Sequence, residues 1–135
     1  MNDCIFCKIV KGDIPCYKIY EDQDVLAFLD IANDVYGHTL VVPKAHCVNL
    51  LDANNQTLAK VMEAVQKVAR HYVEDCGFDG VNTFNCNGKH AEQSVFHLHI
   101  HVIPRKNGDG IHVWTNQTQG NPDLQEVCNK LKLSN

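Results

Sequence analysis

The 135-residue chain has no stretch approaching 18 consecutive apolar residues and no apolar N-terminal signal, so nothing in it reads as a membrane span or a secretory leader. Basic residues never cluster, and the formal net charge is −4. Extended nucleic acid is therefore not an expected partner, because it demands a Lys/Arg stripe to neutralise phosphates. Neither GxxxxGK[ST] nor GxGxxG occurs, which removes the glycine-rich phosphate loops. Internal repeats and low-complexity tracts are also missing. Cysteine is not scarce: seven are present, at 4, 7, 16, 47, 76, 86 and 128. Their odd number and uneven spacing do not suit a disulfide framework, so reduced thiols and a cytoplasmic location are expected. At 15.2 kDa the chain fits one domain.

What is present is histidine, eight in all, three of them in His97-Leu98-His99-Ile100-His101-Val102-Ile103. Strand side chains alternate between faces, so Leu98, Ile100 and Val102 can pack on a core while three imidazoles share the other side. A lone buried histidine is commonly satisfied by a backbone carbonyl. Three in register suggest a metal site or imidazole catalysis instead. The outer two lie about 13 Å apart along a strand at ~3.3 Å per residue, too far for all three to share one ion.

The surrounding pattern reads as α+β, with several strands joined by tight turns and one long helix. A helical turn is expected over 3–10, then strands at Tyr17–Glu21, Val25–Leu29, His38–Pro43, Val81–Asn85 and about 95–104. Leu58, Val61, Met62, Val65, Val68, Ala69 and Tyr72 recur at helical spacing over about 55–75, with Asp52 and Asn54 as N-cap candidates and Gly77 as the stop. Asn121-Pro122 offers an N-cap and first position for a last helix, following the short apolar run Ile111-His112-Val113-Trp114.

The histidine run resembles the motif of the histidine triad (HIT) superfamily. The likeness extends through Cys4-Ile5-Phe6-Cys7-Lys8-Ile9, Ala27-Phe28-Leu29-Asp30-Ile31, Gly37-His38-Thr39-Leu40-Val41-Val42-Pro43-Lys44 and Gln93-Ser94-Val95-Phe96. It spans about residues 3–115, leaving 116–135 as a C-terminal segment of a single domain, and it is nearest to the small bacterial proteins of the nucleoside phosphoramidase branch. The resemblance implies the HIT fold, an antiparallel sheet of about five strands with one long helix and a short C-terminal helix, assembled as a homodimer.

It also implies roles. His99 would be the nucleophile, its second nitrogen held by a backbone carbonyl, and attack on an α-phosphorus would give a nucleotidyl-histidine that water resolves. His101, Ser94, Gln93 and Asn87 would surround the phosphate, with His38 in support. Asp30 would take the ribose hydroxyls, and Ile5, Phe6, Ile9, Phe28 and Ile31 the base. Cys4-x-x-Cys7 alone could be a redox pair or half a metal site. Relatives with this pair complete a structural zinc site with residues matching His46 and His97.

The expected activity is hydrolysis of a purine nucleoside 5′-phosphoramidate or related conjugate, with no catalytic metal. Alternatives are a dinucleoside polyphosphate hydrolase and a non-enzymatic, zinc-stabilised nucleotide-binding protein. Two departures from the family pattern stand out. Cys86 replaces an Asn of the usual Asn-Asn-Gly run, and Glu92 replaces a Gly before Gln93.

Overall fold

The computed structural model describes residues 3–32, 34–113 and 119–134. Helix α1 (Ile5–Lys11) is followed by strands β1 (Lys18–Glu21), β2 (Val25–Leu29) and β3 (Thr39–Pro43). Helix α2 (Asn55–Arg70) runs on into a π-helical turn at His71–Asp75, and β4 (Gly80–Phe84), β5 (Ile100–Arg105) and α3 (Leu124–Leu131) complete the order. The strands form one antiparallel sheet, β1-β2-β3-β5-β4. No helix among the described residues is long and apolar enough to cross a membrane. Trp114 lies outside the described residues.

Alternation divides the core between the sheet's two faces. Val25, Ala27, Val41, Leu98 and Val102 pack with Val61, Ala64, Val65 and Val68 of α2. Leu26, Phe28, Leu40 and Val42 point the other way, where Phe6 of α1 covers them. Leu98, Ile100 and Val102 thus face α2, as their spacing requires, and the imidazoles fall on the α1 side.

Three expectations need correction. The strand expected over 95–104 begins only at Ile100. Pro43 opposite has no N–H to give, and its carbonyl is taken by the His97 ring at 2.8 Å. The ladder therefore stops, and Leu98 N–H turns to the Cys47 carbonyl at 2.9 Å. Asn54 alone caps α2, accepting from Thr57 N–H at 2.8 Å, while Asp52 accepts from Val48 and Asn49 N–H and fixes the preceding turn. Finally, α3 starts on Asp123, whose carboxylate accepts from Gln125 N–H at 2.9 Å, so Asn121-Pro122 lies outside it.

Candidate active site

Beneath α1 lies a cleft of about 390 Å³ whose floor is β2, β3 and β5. Ile5, Phe6 and Ile9 line it from the helix, Phe28, Asp30 and Ile31 from the end of β2, and Ser94, His99 and His101 from the histidine segment. The ring of Phe6 stands edge-on to Phe28 at 5.5 Å and to His99 at 5.2 Å between centroids. No Lys or Arg is among the described residues lining the cleft.

His99 is 6% exposed, and its Nδ1 lies 2.8 Å from the His97 carbonyl. A carbonyl only accepts, so Nδ1 carries the proton and Nε2 keeps a free lone pair. Burial pushes His99 below the ordinary histidine value, disfavouring its charged form. The Asn85 side chain donates to the His99 carbonyl at 3.0 Å and holds that backbone in place.

Beside it His101 Nδ1 lies 2.8 Å from His38 Nε2, and His38 Nδ1 lies 2.8 Å from Asp34 Oδ1. Burial, aided by the neighbouring histidines, takes His101 down to about 4. The hydrogen bond from His38 holds the Asp34 carboxyl below its usual range. Asp30 Oδ2 is 3.7 Å from His38 Nε2, and its other oxygen accepts from Ala32 N–H at 2.8 Å.

Gln93 and Asn87, expected at the phosphate, are spent elsewhere. The buried Gln93 amide accepts from Asn49 Nδ2 and Gly88 N–H and donates to the Val48 and Val95 carbonyls. Asn87 accepts from Leu50 N–H and donates to Asn85. Both brace the loop leading to the histidine segment rather than line the cleft. Cys86 lies with Phe84 and Ile103 in an adjoining groove that shares His101 with the cleft and is also lined by Asp34 and His38. Asn85 carried no sequence signal, because the His99 carbonyl is brought to it only by the fold. Asp34 stands just four residues before His38, but the link from His38 on to His101 spans 63 positions and is made only by the fold.

At the N-terminus of α1, Cys4 Sγ, Cys7 Sγ, His46 Nδ1 and His97 Nδ1 lie within 4.8 Å of one another. Cys4–His97 is 3.3 Å, Cys7–His46 3.4 Å, Cys7–His97 3.6 Å and His46–His97 3.1 Å. A tetrahedral zinc at about 2.3 Å from sulfur and 2.0–2.1 Å from nitrogen spaces its ligand atoms about 3.3–3.8 Å apart. The three sulfur–nitrogen separations lie in that range and the nitrogen pair just under it, so the donor set suits one ion. Their surroundings fit too. His97 Nε2 donates to the Pro43 carbonyl, which frees Nδ1 as a ligand. Cys7 N–H donates to Cys4 Sγ at 3.3 Å and holds that sulfur at the helix N-terminus.

The profile of the HIT domain matches residues 11–108. Protein hit of Bacillus subtilis is 47% identical over 134 residues, covering 96% of this chain and 92% of that protein. The adenosine 5′-monophosphoramidase hnt1 of Schizosaccharomyces pombe is 44% identical over 104 residues, 77% of this chain and 75% of its own length. A solved structure of a Zn-bound histidine triad family protein from Mycobacterium smegmatis matches with a TM-score of 0.78 at 43% identity, covering 92% of this chain and 86% of that one. By profile, sequence and fold alike, the chain belongs to the histidine triad (HIT) family.

Proposed function

We propose that this protein hydrolyses purine nucleoside 5′-phosphoramidates or related nucleotide conjugates through a nucleotidyl intermediate on His99. The observation that carries the reading is the His99–His97 carbonyl bond of 2.8 Å within the cleft, which leaves a neutral Nε2 to attack. A volume of about 390 Å³ falls in the range of about 300–1,000 Å³ usual for small-molecule sites. Asp30 at one end suits the two ribose hydroxyls, and the apolar residues of α1 and β2 suit a base.

Nε2 of His99 forms a bond to phosphorus as the phosphorus–nitrogen bond breaks, and the departing amine gains a proton, from solvent in the first turnover and from His101, charged by the preceding hydrolysis, in later ones. Water then displaces His99, releasing the nucleotide. Ser94 donates to a phosphate oxygen, while His101, supported by His38, handles protons. Cys4, Cys7, His46 and His97 would hold a zinc whose contribution is structural, tying α1 to the segment before the nucleophile. One triad histidine then serves the metal and another the phosphorus.

The relative from Schizosaccharomyces pombe, a phosphoramidase by name, supports the substrate class. Rapid mixing with an adenosine 5′-phosphoramidate is expected to give a burst of amine and an acid-labile nucleotidyl adduct on His99. In His99→Ala both are expected to vanish while mononucleotide binding persists. Steady turnover by that variant would end the reading.

A further inference from the structure

We propose that Asp34 is a positioning residue which, acting through His38, fixes His101 in the tautomer that accepts a proton from the water resolving the nucleotidyl-histidine. The inference rests on the reading above for its chemistry, but its structural half stands alone. Asp34 Oδ1 to His38 Nδ1 and His38 Nε2 to His101 Nδ1 are both 2.8 Å, so three groups form one hydrogen-bonded line.

The line has a direction. A carboxylate has no proton to give, so His38 must donate through Nδ1, which leaves its Nε2 bare. His101 must then donate through its own Nδ1, and its remaining Nε2 is bare in turn. His101 lines the cleft, and its bare Nε2 is the nitrogen assigned here to the water approaching phosphorus. Without Asp34 the order can reverse: His38 Nε2–H donates to His101 Nδ1, and His101 Nε2 carries a proton that blocks it as a base.

The proton balance closes over two steps. Water forms a bond to phosphorus, the phosphorus–nitrogen bond to His99 breaks, and the electron pair returns to His99 Nε2. The water proton goes to His101 Nε2. That imidazolium, flanked by His38 and the Asp34 charge, gives the proton to the amine leaving in the next turnover or to solvent. The charged and titratable groups facing the pair are Asp34, Asp30, His99 and, from the adjoining groove, the Cys86 thiol. Asp30 is farther from His38 than Asp34, at 3.7 Å, and its assigned task is at the ribose. A carboxylate that sets an imidazole's tautomer is worth up to about 10⁴ in rate where it is direct.

Asp34→Asn is the sharp variant, because the amide is isosteric and can donate to His38 Nδ1. Long-range ¹H–¹⁵N spectra of the imidazoles are expected to show His38 as the Nδ1–H tautomer in the wild type and mainly Nε2–H in Asp34→Asn and Asp34→Ala. In rapid mixing the burst should persist, while hydrolysis of the adduct slows on the order of 10²-fold. An Nε2–H tautomer in the wild type, or one unchanged in both variants, overturns the proposal, as does equal slowing of burst and hydrolysis. If the wild type forms no adduct, the function reading fails, and the tautomer spectra still decide whether Asp34 orders the line.

Discussion

Glu92 has φ 70° and ψ 24°, which makes it the one non-glycine with positive φ among the described residues. It closes the single turn Lys89–Ala91, its N–H donating to the Lys89 carbonyl at 3.0 Å. Glycine, which the family pattern implies at this position, suits that backbone. The side chain is exposed and outside the lining of the cleft, so the substitution acts first on the backbone. A left-handed L-residue costs about 1–2 kcal/mol, and glycine's extra unfolded-state freedom returns about 0.5–1 kcal/mol of that. Glu92→Gly is thus expected to stabilise the fold by about 0.5 kcal/mol, read from urea unfolding; a loss of stability would contradict it. A second expectation concerns pH. Burial holds His99 below 6.5, so the neutral nucleophile persists into acid and the acidic limb of kcat/KM should lie below that value. A pH–rate profile with its acidic limb above 6.5 would show that another group governs.

Elements with their own periodicity were legible in the sequence, and those defined by a partner were not. β2 coincides with the expected Val25–Leu29, and α2 ends its α-helical part at Arg70 with Tyr72 still on the buried face. The late start of β5 depends on the carbonyl of Pro43, a residue 54 positions away from His97. Gln93 and Asn87 carry the polarity of ligand-binding residues but are engaged by backbone and by the Asn49 and Asn85 side chains, and only the folded loop reveals it. Helix α1 is the element with least intrinsic stability. Seven residues fall well below the ~12–15 needed for an isolated helix, so it depends on Phe6 and on the Cys4, Cys7, His46 and His97 cluster. Metal analysis of protein purified without added zinc is expected to give about one ion per chain. Chelation should lower Tm, speed amide exchange across α1 and, by loosening Phe6 beside His99, raise KM more than it lowers kcat. Metal-free protein with an unchanged melting curve would remove zinc from the account.

Across the whole molecule, charge decides which nucleotide conjugate suits the cleft. The chain carries a formal −4, and no Lys or Arg lines the cleft among the described residues, whereas Asp30 does. A diadenosine polyphosphate brings several negative charges to a site without a cation to meet them. A phosphoramidate brings about one, and its amine can leave as a cation that the acidic molecule tolerates. The leaving groups also differ in what they need. An amine must be protonated as it departs, which a line of imidazoles can do, while a phosphate leaves as an anion without help. Glu92 adds little to the difference, since an exposed charge is worth at most ~1 kcal/mol. The expected result is a kcat/KM for adenosine 5′-phosphoramidate at least about tenfold above that for a diadenosine polyphosphate, a gap of ~1.4 kcal/mol. Because repulsion supplies part of the gap, it should narrow as salt shortens the screening length from about 10 Å at 0.1 M to 3 Å at 1 M. If the polyphosphate is the better substrate at low salt, the polyphosphate hydrolase replaces the phosphoramidase. That outcome would leave His99 as nucleophile and the family assignment untouched, and would place the missing cation outside the lining residues.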